Sequence, residues 1–147
     1  MSVSLIDDIL EKYPNDVKVV IKNCPLKIHK DAMLLAQYSL AANEQGKYIE
    51  MYKYLMSNQA LVKTDLDLVF DYAKEIELDI QKLKKDAASE RILNQIILES
   101  QQLIESNIRS KGVPKFLIQG KELFVFNAGK SIEDFSKIIE KELKKTK

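Results

Sequence analysis

Cys24 could serve as a nucleophile and His29 as a general base, and the chain has one cysteine and one histidine. Cys24 opens the stretch Cys-Pro-Leu-Lys, which follows a β-branched segment and precedes a helical one. This placement is typical of a redox active-site turn, with Lys27 where a second cysteine would stand. The stretch therefore allows a monothiol enzyme. The alternative, which we favour, is a small buried apolar residue, because free cysteines are among the most buried residue types.

The other ionisable residues form no recognisable catalytic group. No activated nucleophile lies beside His29 in the sequence, so we expect a role in a turn or a cap. Several acids, for example Glu75, Glu77 and Asp79, fall on solvent-facing sides of helices, and nothing pairs two of them for acid–base work. Three tyrosines recur at helical spacing and are expected in the core and at its rim: Tyr48, Tyr52 and Tyr54.

Composition narrows the class of protein. The 147 residues suit one domain spanning 1–147, and the net charge is +1. This balance argues against nucleic acid as a partner, because phosphate binding needs a basic surplus. One cysteine excludes an intrachain disulfide and a cysteine-based zinc site, and one histidine excludes a multi-histidine metal site. We therefore expect no cofactor and no metal.

No apolar run approaches the ~18–20 residues that a membrane span needs. Asp7 and Asp8 stand near the start, where a signal peptide would carry basic residues. We therefore expect no membrane span and no export signal in the chain as written, and the compartment stays unknown.

Hydrophobic periodicity predicts the order helix, strand, helical block, hairpin, helix. Residues 4–13 have helical spacing with Ser4 as the N-cap, and the β-branched residues 17–21 predict a strand buried on at least one face. Five helices are expected between residues 30 and 110. Gly46 is expected to end the first of these five helices in the left-handed conformation, and Asp65, Asp79 and Ser89 stand where N-caps are expected. A hairpin of 116–118 with 123–126 and a helix opening at Ser131 complete the pattern.

Three stretches are more specific than this periodicity. They are Val-Val-Ile-Lys-Asn-Cys-Pro-Leu-Lys-Ile-His-Lys-Asp-Ala (19–32), Ala-Ala-Asn-Glu-Gln-Gly-Lys-Tyr-Ile-Glu-Met (41–51) and Gly-Val-Pro-Lys-Phe-Leu-Ile-Gln-Gly-Lys (112–121). In this order and spacing they resemble the DsbA-like thioredoxin-fold family of disulfide oxidoreductases. They are similar to that family's strand and proline-leucine turn with a histidine, its glutamine-glycine-lysine-aromatic turn, and its cis-proline strand. The likeness runs from about Ser4 to Leu143.

The resemblance implies an α/β protein with part of the fold missing. It implies an incomplete thioredoxin-like fold with a helical insertion at about residues 30–110. The family's first central strand and its Cys-x-x-Cys pair would lie upstream of Met1. Without that strand, the strands expected at 17–22 and 115–119 would have unpaired edges. The chain would then be a fragment of a longer protein, would pair with another chain, or would be marginally folded.

Val113 and Pro114 are the substrate-binding residues that the resemblance implies. In the family, the residue before the cis-proline offers its backbone to a peptide substrate. This chain departs from the family pattern, since Val113 replaces the usual threonine and Lys115 replaces a small polar residue. A proline that serves only to start a strand is the alternative interpretation.

Two functions from different classes follow. In the first, the chain belongs to a thiol-disulfide oxidoreductase acting on protein disulfides outside the cytoplasm, lacks catalytic residues itself and is inactive alone. In the second, it is a redox-inactive thioredoxin-fold module that holds a peptide or a second copy by strand addition, at the Val113–Pro114 surface or at its open strand edges. The expected partners are therefore protein or peptide substrates, or a homodimer.

Overall fold

The computed structural model describes residues 3–29, 31–106, 108, 113–122 and 131–145, and the regular structure of these residues is mainly helical. Eight helices occur in the described residues: α1 (Val3–Lys12), α2 (Ala32–Asn43), α3 (Tyr48–Ser57), α4 (Gln59–Val62), α5 (Asp67–Glu75), α6 (Ile80–Ala87), α7 (Glu90–Glu105) and α8 (Ile132–Leu143). The only β structure described is a hairpin of two two-residue strands, β1 (Leu117–Ile118) and β2 (Lys121–Glu122).

The predicted α/β architecture is wrong. Residues 17–21 join no ladder, and β1 pairs only with β2, so the described residues hold no sheet larger than the hairpin. The physical reason is that a strand satisfies its backbone only against a neighbour, whereas a helix satisfies most of its own. An incomplete thioredoxin-like fold with a helical insertion does not describe this structure, and the expectations built on a missing central strand lose their basis.

The helical segments agree better with expectation. Five predicted helices match α2, α3, α5, α6 and α7, while the short α4 was not predicted. α1 begins at Val3, so Ser4 lies inside the helix and the predicted N-cap is wrong. Asp79 does cap α6, where its carboxylate accepts a hydrogen bond from the backbone N–H of Lys82. α8 begins with a complete capping box between Ser131 and Asp134.

The chain divides into two compact units, and the larger one spans residues 22–105. Its core is formed by α2, α3, α5, α6 and α7, and it includes side chains that water does not reach. Those fully buried large side chains are Met51, Leu55, Val69, Leu83, Ile92 and Ile96. Burying a side chain of this size stabilises a fold by roughly 1.5–3 kcal/mol, so this cluster is the main source of stability in the unit.

Polar contacts and aromatic pairs fix the ends of helices in the larger unit. The Gln45 amide exchanges two hydrogen bonds with the Asp79 backbone, donating to its carbonyl at 3.1 Å and accepting from its N–H at 2.9 Å. This exchange ties the end of α2 to the start of α6. The rings of Tyr54 and Tyr72 stack in parallel with their centres 4.0 Å apart, and this stack joins α3 to α5.

The smaller unit comprises residues 1–21 and 106–147. Its described core joins α1 to α8 through five buried side chains: Leu5, Ile9, Tyr13, Phe135 and Ile139. Two long-range hydrogen bonds reinforce this packing. Lys12 Nζ donates to Ser136 Oγ at 2.9 Å, and the Tyr13 hydroxyl donates to a Glu140 carboxylate oxygen at 3.1 Å.

The predicted hairpin exists in this unit, but with a tighter turn. Leu117 pairs with Glu122 and Ile118 with Lys121 across a two-residue turn. Gln119 and Gly120 both have positive φ, 50° and 73°, which matches the turn type that suits the twist of two antiparallel strands. The expected second strand, 123–126, lies outside the described residues.

Gly46 provides a test of local backbone preference. Its φ is +75°, and a Cβ built there would meet no atom within 4 Å. We expect Gly46→Ala to lower the free energy of unfolding by about 1–2 kcal/mol, because an L-residue is strained in the left-handed region. Gly46→Asn should cost less, because asparagine tolerates this conformation. Urea denaturation measures both, and equal stability of all three proteins would contradict this account of the turn.

Candidate functional site

The stretch Val17–Ile21 in the smaller unit lies in no helix or strand, and most of its backbone groups have no hydrogen-bond partner among the described residues. The N–H of Val17 still donates to the carbonyl of Tyr13 at 3.2 Å, closing the turn after α1. From Lys18 to Ile21, no backbone N–H or C=O has a hydrogen-bond partner in the described part of the chain. Lys18 and Val20 are exposed, while the odd-numbered residues between and around them are half-buried. The stretch therefore has the alternation of a strand without a ladder.

Val17 attaches this stretch to the core of the smaller unit. Its side chain packs against the buried cluster of α1 and α8. Val20, by contrast, is 68% exposed, which is high for an apolar β-branched residue. The stretch is thus held at its first residue by packing, and it exposes the apolar side chain of Val20 to solvent.

A separate polar cluster lies in the larger unit, where Asn23 meets α7. One oxygen of Glu99, Oε2, accepts from the backbone N–H of Asn23 at 2.6 Å and from its Nδ2 at 3.2 Å. The other oxygen, Oε1, accepts from Gln95 Nε2 at 3.2 Å. Beside this contact, Lys22 Nζ donates to Gln102 Oε1 at 2.8 Å. Because both oxygens of Glu99 have donors, this carboxylate acts as an anchor for the chain.

Tyr48 completes the polar cluster with a hydroxyl that is buried and has no hydrogen-bond partner among the described residues. Burial raises the pKa of Tyr48 above its ordinary value of 10.0, and Tyr52, whose ring stacks on it with centres 5.8 Å apart, raises it further. The Asn23 side chain opposes this rise, but its amide donates to Glu99. Tyr48 therefore stays protonated well into the alkaline range.

Among the described contacts, no hydrogen bond joins Cys24 to His29. Cys24 is a free, half-buried thiol. His29 is exposed in a turn, where its N–H donates to the Leu26 carbonyl at 2.9 Å and its own carbonyl accepts from the N–H of Ala32. These contacts fit the turn role expected for the histidine. The monothiol role of Cys24 stays a prediction.

The remaining predicted residues have mainly structural environments. Glu75 and Glu77 are exposed, and Asp79 caps α6. The peptide bond between Val113 and Pro114 is cis, as the resemblance implied, with Val113 half-buried and Pro114 exposed. Their role in binding a peptide stays a prediction.

Sequence reasoning missed Glu99 and the state of the Tyr48 hydroxyl. Asn23 and Glu99 are 76 positions apart, so no local pattern joins them. Tyr48 was assigned to core and rim by its spacing, and its ring agrees with that assignment. The lack of a partner for its hydroxyl depends on tertiary packing, which helical periodicity does not encode.

No family model matches the chain, and comparisons with curated proteins and with solved structures found no similar protein. The resemblance to the DsbA-like family is therefore not supported, and the mainly helical structure contradicts it. None of the described helices is long and apolar enough to cross a membrane. Within the described ranges, no three histidine, cysteine or acidic side chains are grouped as metal ligands.

The anchor at Glu99 predicts a loss of stability when its carboxylate is removed. We expect Glu99→Ala to lower the free energy of unfolding by about 1–3 kcal/mol, because the N–H groups of Asn23 lose their acceptor. Glu105→Ala, at the exposed end of the same helix, is the matched control and should change stability by no more than about 0.5 kcal/mol. Urea denaturation of both variants measures the difference, and equal effects would contradict the anchoring role.

Tyr48→Phe should stabilise the protein by about 1 kcal/mol at neutral pH, because it removes a buried hydroxyl that has no hydrogen-bond partner among the described residues. The pH dependence has a defined sign. Above about pH 10 an unfolded tyrosine releases its proton while folded Tyr48 keeps it, so the wild type loses stability as pH rises. The variant lacks this contribution, and its advantage should widen between about pH 7 and pH 11. Urea denaturation at both values checks this, and a constant difference would argue against a raised pKa.

Proposed function

We propose that this chain is a peptide-binding module that takes up an extended segment of another polypeptide by strand addition along Val17–Ile21. The observation that supports the proposal is the run of peptide groups from Lys18 to Ile21 without hydrogen-bond partners in the described residues. Strand addition uses main-chain hydrogen bonds for affinity, and an unpaired run of this kind is its template.

Residue type and attachment support the same proposal. Val19, Val20 and Ile21 are β-branched, and such residues fit a pleated surface better than a flexible loop. Val17 packs on the core of its unit, so part of the entropy cost of ordering the acceptor strand is already met within the protein. A bound strand would also cover the exposed apolar side chain of Val20.

The exposed side chains favour a particular kind of peptide. Lys18 and Val20 lie on the same side of the alternation, so a partner strand would meet a positive charge beside an apolar group. Opposite charges across neighbouring strands are favourable. The preferred peptide is therefore an extended segment with an acidic and an apolar residue two positions apart, so that both lie on the face that meets Lys18 and Val20.

Disulfide exchange is not part of this proposal. It was implied by a family that no comparison supports, and the chain has a single cysteine. The proposed binding surface does not include Val113 and Pro114, because the backbone groups without partners lie between Lys18 and Ile21.

Binding of a fluorescent ten-residue peptide in which pairs of valines alternate with pairs of glutamates tests the proposal, because each face of this strand carries both residue types. We expect its anisotropy to rise with protein concentration, and we expect the amides of Lys18–Ile21 to gain protection from hydrogen exchange. A peptide with proline at every second position is the matched probe that cannot pair. Equal binding of both peptides, or binding without protection of these amides, would reject strand addition at this stretch.

Proline substitutions in the protein locate the edge that is used. Neighbouring N–H groups of a strand point to opposite edges, so Val19→Pro and Val20→Pro remove donors from different sides. We expect one of them to weaken binding by about tenfold or more, while Val20→Thr, which keeps the donor and the β-branched shape, retains it. If neither proline has an effect, peptide binding at Val17–Ile21 is excluded.

A further inference from the structure

α7 carries a second apolar face, beside the one that it buries. Ile92 and Ile96 are fully buried in the core of the larger unit. Leu93, which follows Ile92, is 36% exposed, and Ile97, which follows Ile96, is 41% exposed. Ile104, further along the helix, is 64% exposed. A surface helix usually has one apolar face and one polar face, so a second apolar face points to a further contact.

The spacing on this second face is that of a coiled-coil contact. With Ser100 between them, these residues occupy positions 93, 97, 100 and 104, separated by four, three and four residues. This is the alternating spacing of the core positions of a heptad repeat. We call Leu93, Ile97, Ser100 and Ile104 the α7 seam.

The side chains that flank the α7 seam on its solvent side are uncharged. Asn94 and Gln101 are both exposed, and each follows a seam residue directly. In a two-helix contact such flanking positions usually carry the charges that select or reject a partner. Here they impose no repulsion between two identical helices.

We propose that a second copy of this chain covers the α7 seam in an antiparallel two-helix contact. A two-fold axis between Ile97 and Ser100 sets Leu93 opposite the partner's Ile104 and sets Ile97 opposite the partner's Ser100. Each pair then places an a position of one helix opposite a d position of the other. At the centre of the contact, the large side chain of Ile97 faces a small serine side chain. The seam is thus complementary to itself, and the contact is closed and symmetric.

The predicted dimer is weak. α7 has 16 residues and is roughly 24 Å long, so the seam covers about two heptads. A contact of this size belongs with small, transient interfaces. Monomer and dimer should therefore exchange over an accessible range of protein concentration.

Sedimentation velocity of the full chain across a concentration series tests the proposal. We expect the weight-average mass to rise from 16.9 kDa towards twice that value. Ile97→Glu should weaken the association by about tenfold or more, because the buried charge occurs once in each copy. Leu98→Glu is the matched control, because Leu98 is 54% exposed on the same helix but lies off the seam, and it should leave association unchanged.

A pair of charge variants tests the orientation and keeps the fold intact, since Asn94 and Gln101 are exposed. In the antiparallel contact Asn94 lies beside the partner's Gln101. The double variant N94K/Q101E should therefore associate several-fold more tightly than N94K/Q101K. In a parallel contact positions 94 and 101 of the two helices would not face each other, so the two variants would associate equally.

Each outcome has a defined meaning. A wild-type mass that stays at one chain, or equal loss of association in Ile97→Glu and Leu98→Glu, overturns the proposal and leaves the α7 seam to a foreign helix. Association lost with Val19→Pro or Val20→Pro instead assigns the dimer to the strand-addition stretch and likewise overturns it. The inference does not rest on peptide binding, so either proposal can fail while the other stands.

Discussion

The hydrogen-bonding requirement of the peptide backbone decides how the described part of this chain is organised. A helix pairs most of its own donors and acceptors, so its formation needs only a suitable local sequence and a surface to cover its apolar face. A strand depends on a neighbour. The β-branched residues at Val17–Ile21 have the composition of a strand but no ladder in the described residues, and the same requirement makes them the candidate binding stretch.

Features that depend on neighbouring residues could be predicted from the sequence. Gly46 has the positive φ that its place after α2 required, and Asp79 accepts the capping bond at the start of α6. The turn at Gln119 and Gly120 belongs to the predicted hairpin, although the second strand begins at Lys121, two residues closer to the turn than expected. These predictions succeeded because the physical cause lies within a few residues of the effect.

Features that depend on distant residues could not be predicted. The expectation of an α/β fold rests on a likeness in three short stretches. A likeness of this kind is local, so it does not show whether a strand has a neighbour to pair with. The contact of Asn23 with Glu99 and the unpartnered hydroxyl of Tyr48 arise from packing between distant segments. The spacing of Leu93, Ile97 and Ile104 on the second face of α7 is visible in the sequence, but which apolar residues of the helix become buried depends on tertiary packing.

α7 combines three roles in one helix. One side supplies Ile92 and Ile96 to the core, and Glu99 holds Asn23. The outward side bears the α7 seam. The core of the larger unit buries only one of the two apolar faces of α7. The other face therefore leaves apolar surface in contact with water after the unit has folded.

The distribution of tyrosine determines what optical spectroscopy of this protein reports. The chain has six tyrosines and no tryptophan. Five of the tyrosines belong to the larger unit, four of them in the stacked pairs Tyr48–Tyr52 and Tyr54–Tyr72, whereas Tyr13 alone belongs to the smaller unit. Near-ultraviolet circular dichroism and intrinsic emission therefore follow the larger unit almost exclusively. Melting of the smaller unit would leave these signals largely unchanged, so a second probe placed in that unit is needed to observe it.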